Sequence, residues 1–204
     1  MTDLYIVRHG NTFDKGDVIT RVGARTDLAL SASGKVQAER LRDHFAMGLS
    51  RGFSQAYCSP LRRTRQTAET ILQASAEAPL LQTLEFLREV DYGPDENRPE
   101  ADVIARIGAD ALQAWDERAA PPPGWEIDPD AIRSAWRTLF RELANADLSA
   151  SVLIVTSNGV ARFALDAVTR FAVEPDTIKL KTGAYGRLHV NGDEIELIDW
   201  NVRP

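Results

Sequence analysis

Val152–Leu153–Ile154–Val155–Thr156, broken at once by Ser157–Asn158–Gly159 and followed by a helical apolar spacing, is the feature that most limits how this chain can fold. A continuous run of branched apolar residues of that length marks a strand covered on both faces. Such a strand needs parallel neighbours, with helices above and below it. The chain supplies them. Leu4–Tyr5–Ile6–Val7 reads as a second buried strand, ended by Arg8–His9–Gly10, and Ala56–Tyr57–Cys58 as a third, running into Ser59–Pro60. Ser31 to Gly34 opens a helix whose apolar face is Ala38, Leu41, Phe45 and Leu49, at steps of three and four. Another helix passes through Thr67 and Ile71, and one after Gly159 carries Phe163, Ala167 and Phe171 near one face. Pro79 to Leu87 looks extended. The last segment reads as a hairpin, Arg187 to Val190 and Glu194 to Trp200 around the turn pair Asn191–Gly192. The alternation predicts a three-layer α/β/α sandwich with a mostly parallel central sheet.

From about Pro94 to Ala146 the pattern is helix, loop, helix. Ile104, Ile107, Ala111 and Trp115 mark the first helix; Ile132, Ala135, Leu139 and Leu143 mark the second. The cluster Ala119 to Gly124, with three consecutive prolines, cannot be helical. This stretch is expected to be a helical insertion capping the site of one domain over 1–204. A chain of 204 residues and 22.6 kDa has room for one core and an insertion, and hardly for two cores.

Composition excludes several classes. With 44% apolar residues the chain can offset the entropy of ordering, so disorder is not its dominant state. No apolar run approaches the roughly 20 residues that cross a bilayer, so no membrane association is expected. The opening residues lack the pattern of a secretory leader, and the cytoplasm is the expected location. A single cysteine, Cys58, precludes an internal disulfide, and with three scattered histidines a metal site is not expected. A net charge of −6 argues against nucleic-acid binding by bulk electrostatics. Of the 24 basic residues 20 are arginine, the side chain best shaped to grip phosphate through two parallel hydrogen bonds. A small phosphorylated metabolite is the partner that suits such a chain; no feature decides between a monomer and a homodimer.

Ligands of such sheets gather beyond the carboxyl ends of the strands. There the sequence places Arg8–His9–Gly10–Asn11–Thr12, Ser59–Pro60–Leu61–Arg62–Arg63 and Ser157–Asn158–Gly159, with Leu87 to Gly93 adding carboxylates. A nucleophile candidate, guanidinium groups, a carboxamide and an acid suit phosphoryl transfer, where positioning and charge neutralisation supply most of the rate.

RHGNT after the first strand, SPLRRTRQTA after the second, then LREVDYG and SNGVAR, stand in the order used by the histidine phosphatase superfamily, and the chain resembles that family from about Leu4 to Ala164. The superfamily includes cofactor-dependent phosphoglycerate mutases and small-molecule phosphatases. The resemblance implies His9 as nucleophile, Arg8 and Arg63 as the phosphoryl clamp with Arg62 as the alternative, and Glu89 as the proton donor and acceptor, with Asp91 in reserve. It places Asn11, Thr12, Arg21 and Gly23 at the substrate. The family's second histidine stands in a His-Gly pair after the strong strand; here the pair reads Asn158–Gly159, which implies a neutral amide donor, lower turnover and Gly159 as a further substrate contact. Hydrolysis of a small phosphomonoester through a phosphohistidine, without metal or organic cofactor, is the expected activity. A mutase and a non-catalytic phosphate binder are the alternatives. His44 and His189 read as structural, and Cys58 as a packed side chain, because the arginine a cysteine nucleophile needs would fall at position 64, which is Thr64.

Overall fold

In the computed structural model, which describes residues 2–145 and 151–204, alternation along the first strand divides the core in two. Strand β1 (Thr2–Arg8) sends Leu4 and Ile6 to one face of the sheet and Tyr5 and Val7 to the other. The remaining strands are β2 (Phe53–Cys58), β3 (Leu81–Thr83), β4 (Ser151–Thr156), β5 (Arg170–Phe171), β6 (Tyr185–Asn191) and β7 (Glu194–Val202), in the spatial order β3-β2-β4-β1-β6-β7-β5. The half containing β3, β2, β4 and β1 is parallel, while β6 runs antiparallel to both β1 and β7. In the β1–β4 register Leu4 faces Val152 and Arg8 faces Thr156, so both strands end level. His9 continues the ladder through its N–H to the Thr156 carbonyl, 3.1 Å, which sets it beside Ser157.

Helices α1 (Ala32–Gly48) and α2 (Arg62–Leu72) cover the Tyr5 and Val7 face. The other face is covered by α5 (Pro129–Asn145) and the short α6 (Asn158–Ala161). Trp136, Leu139, Phe140 and Leu143 of α5 join the cluster built on Leu4, Ile6, Val152 and Ile154, and the Trp136 indole N–H donates to the Val160 carbonyl, 3.0 Å. This helix, expected in the cap, is therefore a layer of the sandwich. The overhang is the shorter pair α3 (Glu100–Ile107) and α4 (Ala109–Arg118). The expected cap boundary at Ala146 lies outside the described residues. No helix among the described residues is long and apolar enough to cross a membrane.

Four local expectations change. The Ile104-to-Trp115 pattern is not one helix: Gly108 adopts φ +84° and separates α3 from α4, and Ile104 is exposed. Phe171 lies not on a helix but on β5, exposed, because the chain tightens after Ala161 into a 3-10 stretch, Arg162–Ala167. In the hairpin Asn191 still pairs with Glu194, so the two-residue turn is Gly192–Asp193, with φ +59° at Gly192. Only Leu81–Thr83 of the stretch after Pro79 is strand; Glu85–Leu87 is a 3-10 turn.

The loop after β1 is fastened to the start of α1. Ser31 accepts from the Gly34 N–H, and the Asp14 carboxylate accepts from the N–H groups of Ala32 and Ser33. Bonds from the Ser33 hydroxyl and N–H, then from the Ser31 hydroxyl and the Ala32 N–H, hold the Asp14 carboxyl at a pKa of about 2. Asn11 donates its N–H to the Gln37 side chain and accepts from the Ser31 N–H. Contact is backbone on backbone: a Cβ at Gly34 would lie 2.0 Å from the Asn11 carbonyl oxygen, and one at Gly10 2.3 Å from that of Gly34. Alanine normally gains about 1 kcal/mol over glycine inside a helix. At Gly34 the clash should outweigh that gain. Gly34→Ala is expected to lose roughly 1–3 kcal/mol in urea unfolding, the range for overpacking; a variant more stable than the parent would contradict this contact.

Candidate active site

The ends of β1 and β4 and the segment before the overhang bring part of the expected set to one cavity of about 530 Å³, while Arg63 of α2 does not line it and meets it through His9. Arg8, His9, Glu89 and Asn158 line its floor, and Asn11, Thr12 and Arg21 its walls. His9 is buried. Its Nδ1 lies 2.7 Å from the Gly10 carbonyl oxygen, an acceptor only, so Nδ1 carries the proton and Nε2 keeps its lone pair. Nε2 in turn accepts from the Arg63 Nε–H at 3.2 Å. Burial holds the His9 pKa well below the usual 6.5, reinforced by Arg63 and then Arg8. The imidazole is neutral.

Arg63 is fully buried at the start of α2, and besides His9 its guanidinium donates to the carbonyls of Thr26 (2.8 Å) and Gly23 (3.2 Å). Gly23 therefore acts through Arg63. Its own N–H, with the Arg25 N–H and the Thr26 hydroxyl, is held by Glu96. Arg62, one residue earlier on the helix, is exposed and does not line the cavity; only its backbone is tied, to Asp27. Adjacent helical residues point about 100° apart, so only one of the pair can face His9. Arg8 donates to the Leu180 carbonyl at 2.8 Å.

Glu89 is buried, with one oxygen accepting from the Val90 N–H (2.9 Å) and the other from the Gly159 N–H (3.2 Å). A Cβ at Gly159 would sit 2.2 Å from the Glu89 oxygen, so only glycine permits this approach. Gly159 thus holds the acid and does not line the cavity, contrary to the expectation of a substrate contact. Asp91 is tied to Arg25 and to the Gly93 N–H, and is also outside it. The Asn158 side-chain Oδ1 accepts from the Leu180 N–H at 2.8 Å, so its amide NH₂ is the end left for the cavity.

Two residues without an expected role belong to the site. Arg162, one helical turn after Asn158 and 2% exposed, stacks 4.2 Å from the Trp115 ring centroid and donates to the carbonyls of Trp115 and Asn158. Ser157 is fully buried at the end of β4. The four-residue spacing from Asn158 could have flagged Arg162; nothing local marks Ser157. Among the described residues Arg8 Nε, Arg162 Nη2 and the Ser157 hydroxyl are buried without a hydrogen-bond partner. Arg8, Arg63 and Arg162 form no ion pair there either. Backbone carbonyls solvate these three cations, and burial lowers the pKa of each. Burial also raises that of Tyr92 beside them, keeping it a neutral phenol.

The other candidates lie elsewhere. His44 bonds the Tyr185 hydroxyl at 2.9 Å, and His189 lies against Asp3. Cys58 is packed in the cluster under α1 and α2, its thiol pKa raised by burial.

The profile of the histidine phosphatase superfamily (branch 1) matches residues 4–203. The chain is 37% identical over 98 residues to the "Probable phosphoglycerate mutase GpmB" of Proteus mirabilis, covering 48% of this chain and 42% of that one. To a "Probable phosphatase" of Schizosaccharomyces pombe it is 26% identical over 136 residues, covering 59% and 62% respectively. The chain thus spans only part of the length of these relatives. Among solved structures, a mycobacterial glucosyl-3-phosphoglycerate phosphatase aligns with a TM-score of 0.78 at 19% identity over 99% of each chain. The alpha-ribazole phosphatase of Shigella flexneri aligns with 0.72 at 22%, over 98% of this chain and 96% of its own. These likenesses establish the fold.

The bond to Gly10 and the flanking cations make a spectroscopic prediction. At pH 6, ¹⁵N shifts of His9 should show a protonated Nδ1 and a bare Nε2, and Arg63→Ala should move the titration upward. Because the folded pKa is depressed, stability is full above the unfolded value near 6.5 and is lost as pH falls from there towards the folded pKa. A His9 that titrates at or above 6.5 would remove this account.

Proposed function

The chain belongs to the histidine phosphatase superfamily, branch 1, and from that premise we propose that it hydrolyses a small phosphomonoester through a phosphohistidine on His9. One observation carries the reading: a neutral imidazole with its tautomer set offers a lone pair on Nε2 among cations that lack a counter-ion. Arg8, Arg63 and Arg162 gather around the buried carboxylate of Glu89, and the other acids near them, Asp27, Glu96 and Asp116, make no ion pair with these three among the described residues. A phosphoryl group with two negative charges complements the three cations. Buried charges without partners are costly, and a bound anion removes that cost.

In the first step the Arg63 Nε–H leaves Nε2 for a phosphoryl oxygen, the freed lone pair bonds to phosphorus as the P–O bond to the alcohol breaks, and Glu89 delivers a proton to the departing oxygen. In the second, water attacks phosphorus, Glu89 takes up a proton, and the N–P bond breaks to release phosphate. Arg8 and Arg63 neutralise the equatorial oxygens as charge shifts onto them. The Asn158 amide and the Ser157 hydroxyl add neutral donors on the β4 side, where the resemblance implies a second histidine. Mutase-type transfer is the second reading, favoured by the identity to the Proteus mirabilis relative.

His9→Ala should abolish turnover and the acid-labile, base-stable phosphoenzyme label; label persisting in that variant would remove His9 as nucleophile. Arg63→Ala should lose roughly 10²–10³ in kcat, the usual effect of deleting one transition-state donor. Arg62→Ala should stay within a few-fold of the parent, and a greater loss there than at Arg63 would overturn the clamp. Asn158→Ala should weaken vanadate binding. Equal oxyanion affinity in that variant would mean the amide does not touch phosphate.

A further inference from the structure

We infer that the alcohol released from the phosphate is uncharged and hydroxylated, of the sugar or polyol class, and carries no carboxylate; this rests on the hydrolase reading above. The grounds lie in the charged residues that share the cavity lining with Arg8, His9 and Glu89. Three are cations, Lys15, Arg21 and Lys179, and three are carboxylates, Asp14, Glu100 and Asp116. Unlike the cluster of Arg8, Arg63 and Arg162, this set has no excess of positive charge.

Two of the cations are already paired. Arg21 bonds Glu100 of the overhang, and its guanidinium lies 5.1 Å from the Tyr92 ring centroid and 4.9 Å from that of Trp125, which fixes its direction. Lys179 Nζ lies 2.8 Å from Asp116, also of the overhang. Lys15 is exposed, and Arg21 keeps a buried Nε–H without a partner, but an acidic alcohol that used Arg21 or Lys179 would compete with Glu100 or Asp116 for that cation and meet their negative charge. A neutral hydroxyl meets no such penalty. The second oxygens of Glu100 and Asp116 accept no hydrogen bond among the described residues, and an alcohol O–H can donate to them without disturbing either pair. Thr12 and Thr182 line the same space and can donate or accept in turn.

Glycerol 3-phosphate and 3-phosphoglycerate test this directly, since they differ in a CH₂OH against a carboxylate on one three-carbon frame. Phosphoethanolamine adds the cationic case. The native protein should favour glycerol 3-phosphate over both in kcat/KM. Glu100→Gln and Asp116→Asn should each raise the relative rate on 3-phosphoglycerate roughly three- to tenfold at low ionic strength. That gain should shrink in high salt, which a merely structural change would not produce. Preference for 3-phosphoglycerate or phosphoethanolamine, or an unchanged ratio in both variants, overturns the assignment. If no ester turns over, calorimetric titration of the native protein with the same three decides it. Tighter binding of glycerol 3-phosphate would then keep the ligand class while removing the hydrolase reading; tighter binding of either other ester would overturn the class as well.

Discussion

The site depends on one hydrogen bond, from His9 Nδ1 to the carbonyl of its own neighbour Gly10. That bond decides which nitrogen is bare, and burial, reinforced by the nearby guanidinium groups, keeps it bare by opposing protonation. It survives only if the loop beyond β1 cannot shift. Gly10 and Gly34 let two backbones meet there, and Ser31, Asp14 and Gln37 bond the loop to α1. The first turn of a helix, whose N–H groups lack partners within the helix, thus becomes the anchor of the loop that carries His9.

The second constraint is charge. Parallel strands that end level bring Arg8 and Asn158 to the cavity, and Arg63 of α2 and Arg162, just after α6, are buried close enough to act on Arg8. Like charges so close are held by carbonyl oxygens of Gly23, Thr26, Leu180, Trp115 and Asn158, not by carboxylates. Carbonyl solvation tolerates the cations without neutralising them, so the floor retains its attraction for an anion. At the rim the opposite holds, because carboxylates of the overhang neutralise Arg21 and Lys179. The proposed hold on phosphate and the proposed choice of an uncharged alcohol are thus built from the same side-chain types, separated by whether an acidic partner is present.

The fold was legible because burial on both faces leaves a continuous apolar run, and burial on one face leaves a period. Val152 to Thr156, Leu4 to Val7 and the Ala38-to-Phe45 stripe carry those marks, and each forms the expected element. The same patterns misled where apolar spacing continued across a break. Ile104 to Trp115 keeps helical period through Gly108, whose positive φ no period records, and Phe171 keeps step with a helix that has already ended. Helix α5 has an apolar stripe that says it is covered, but not by what.

Sequence alone determined that polar residues would follow three strands and that His9 would stand at the end of the first, since an apolar run fixes a strand's course locally. That Arg63 and Glu89 join it was implied by the family resemblance, which kept Arg62 and Asp91 as alternatives. Only the tertiary structure decided that Arg63 and not Arg62 meets His9, that Gly159 serves Glu89 across 70 residues of chain, and that Arg162 lies buried beneath the site. It also decided that Arg21 and Lys179 would find acids on the overhang. The physical reason is that a residue's neighbours along the chain set its backbone course. Its charge partners are set by which distant segments packing brings within a few ångströms, and no local pattern encodes that.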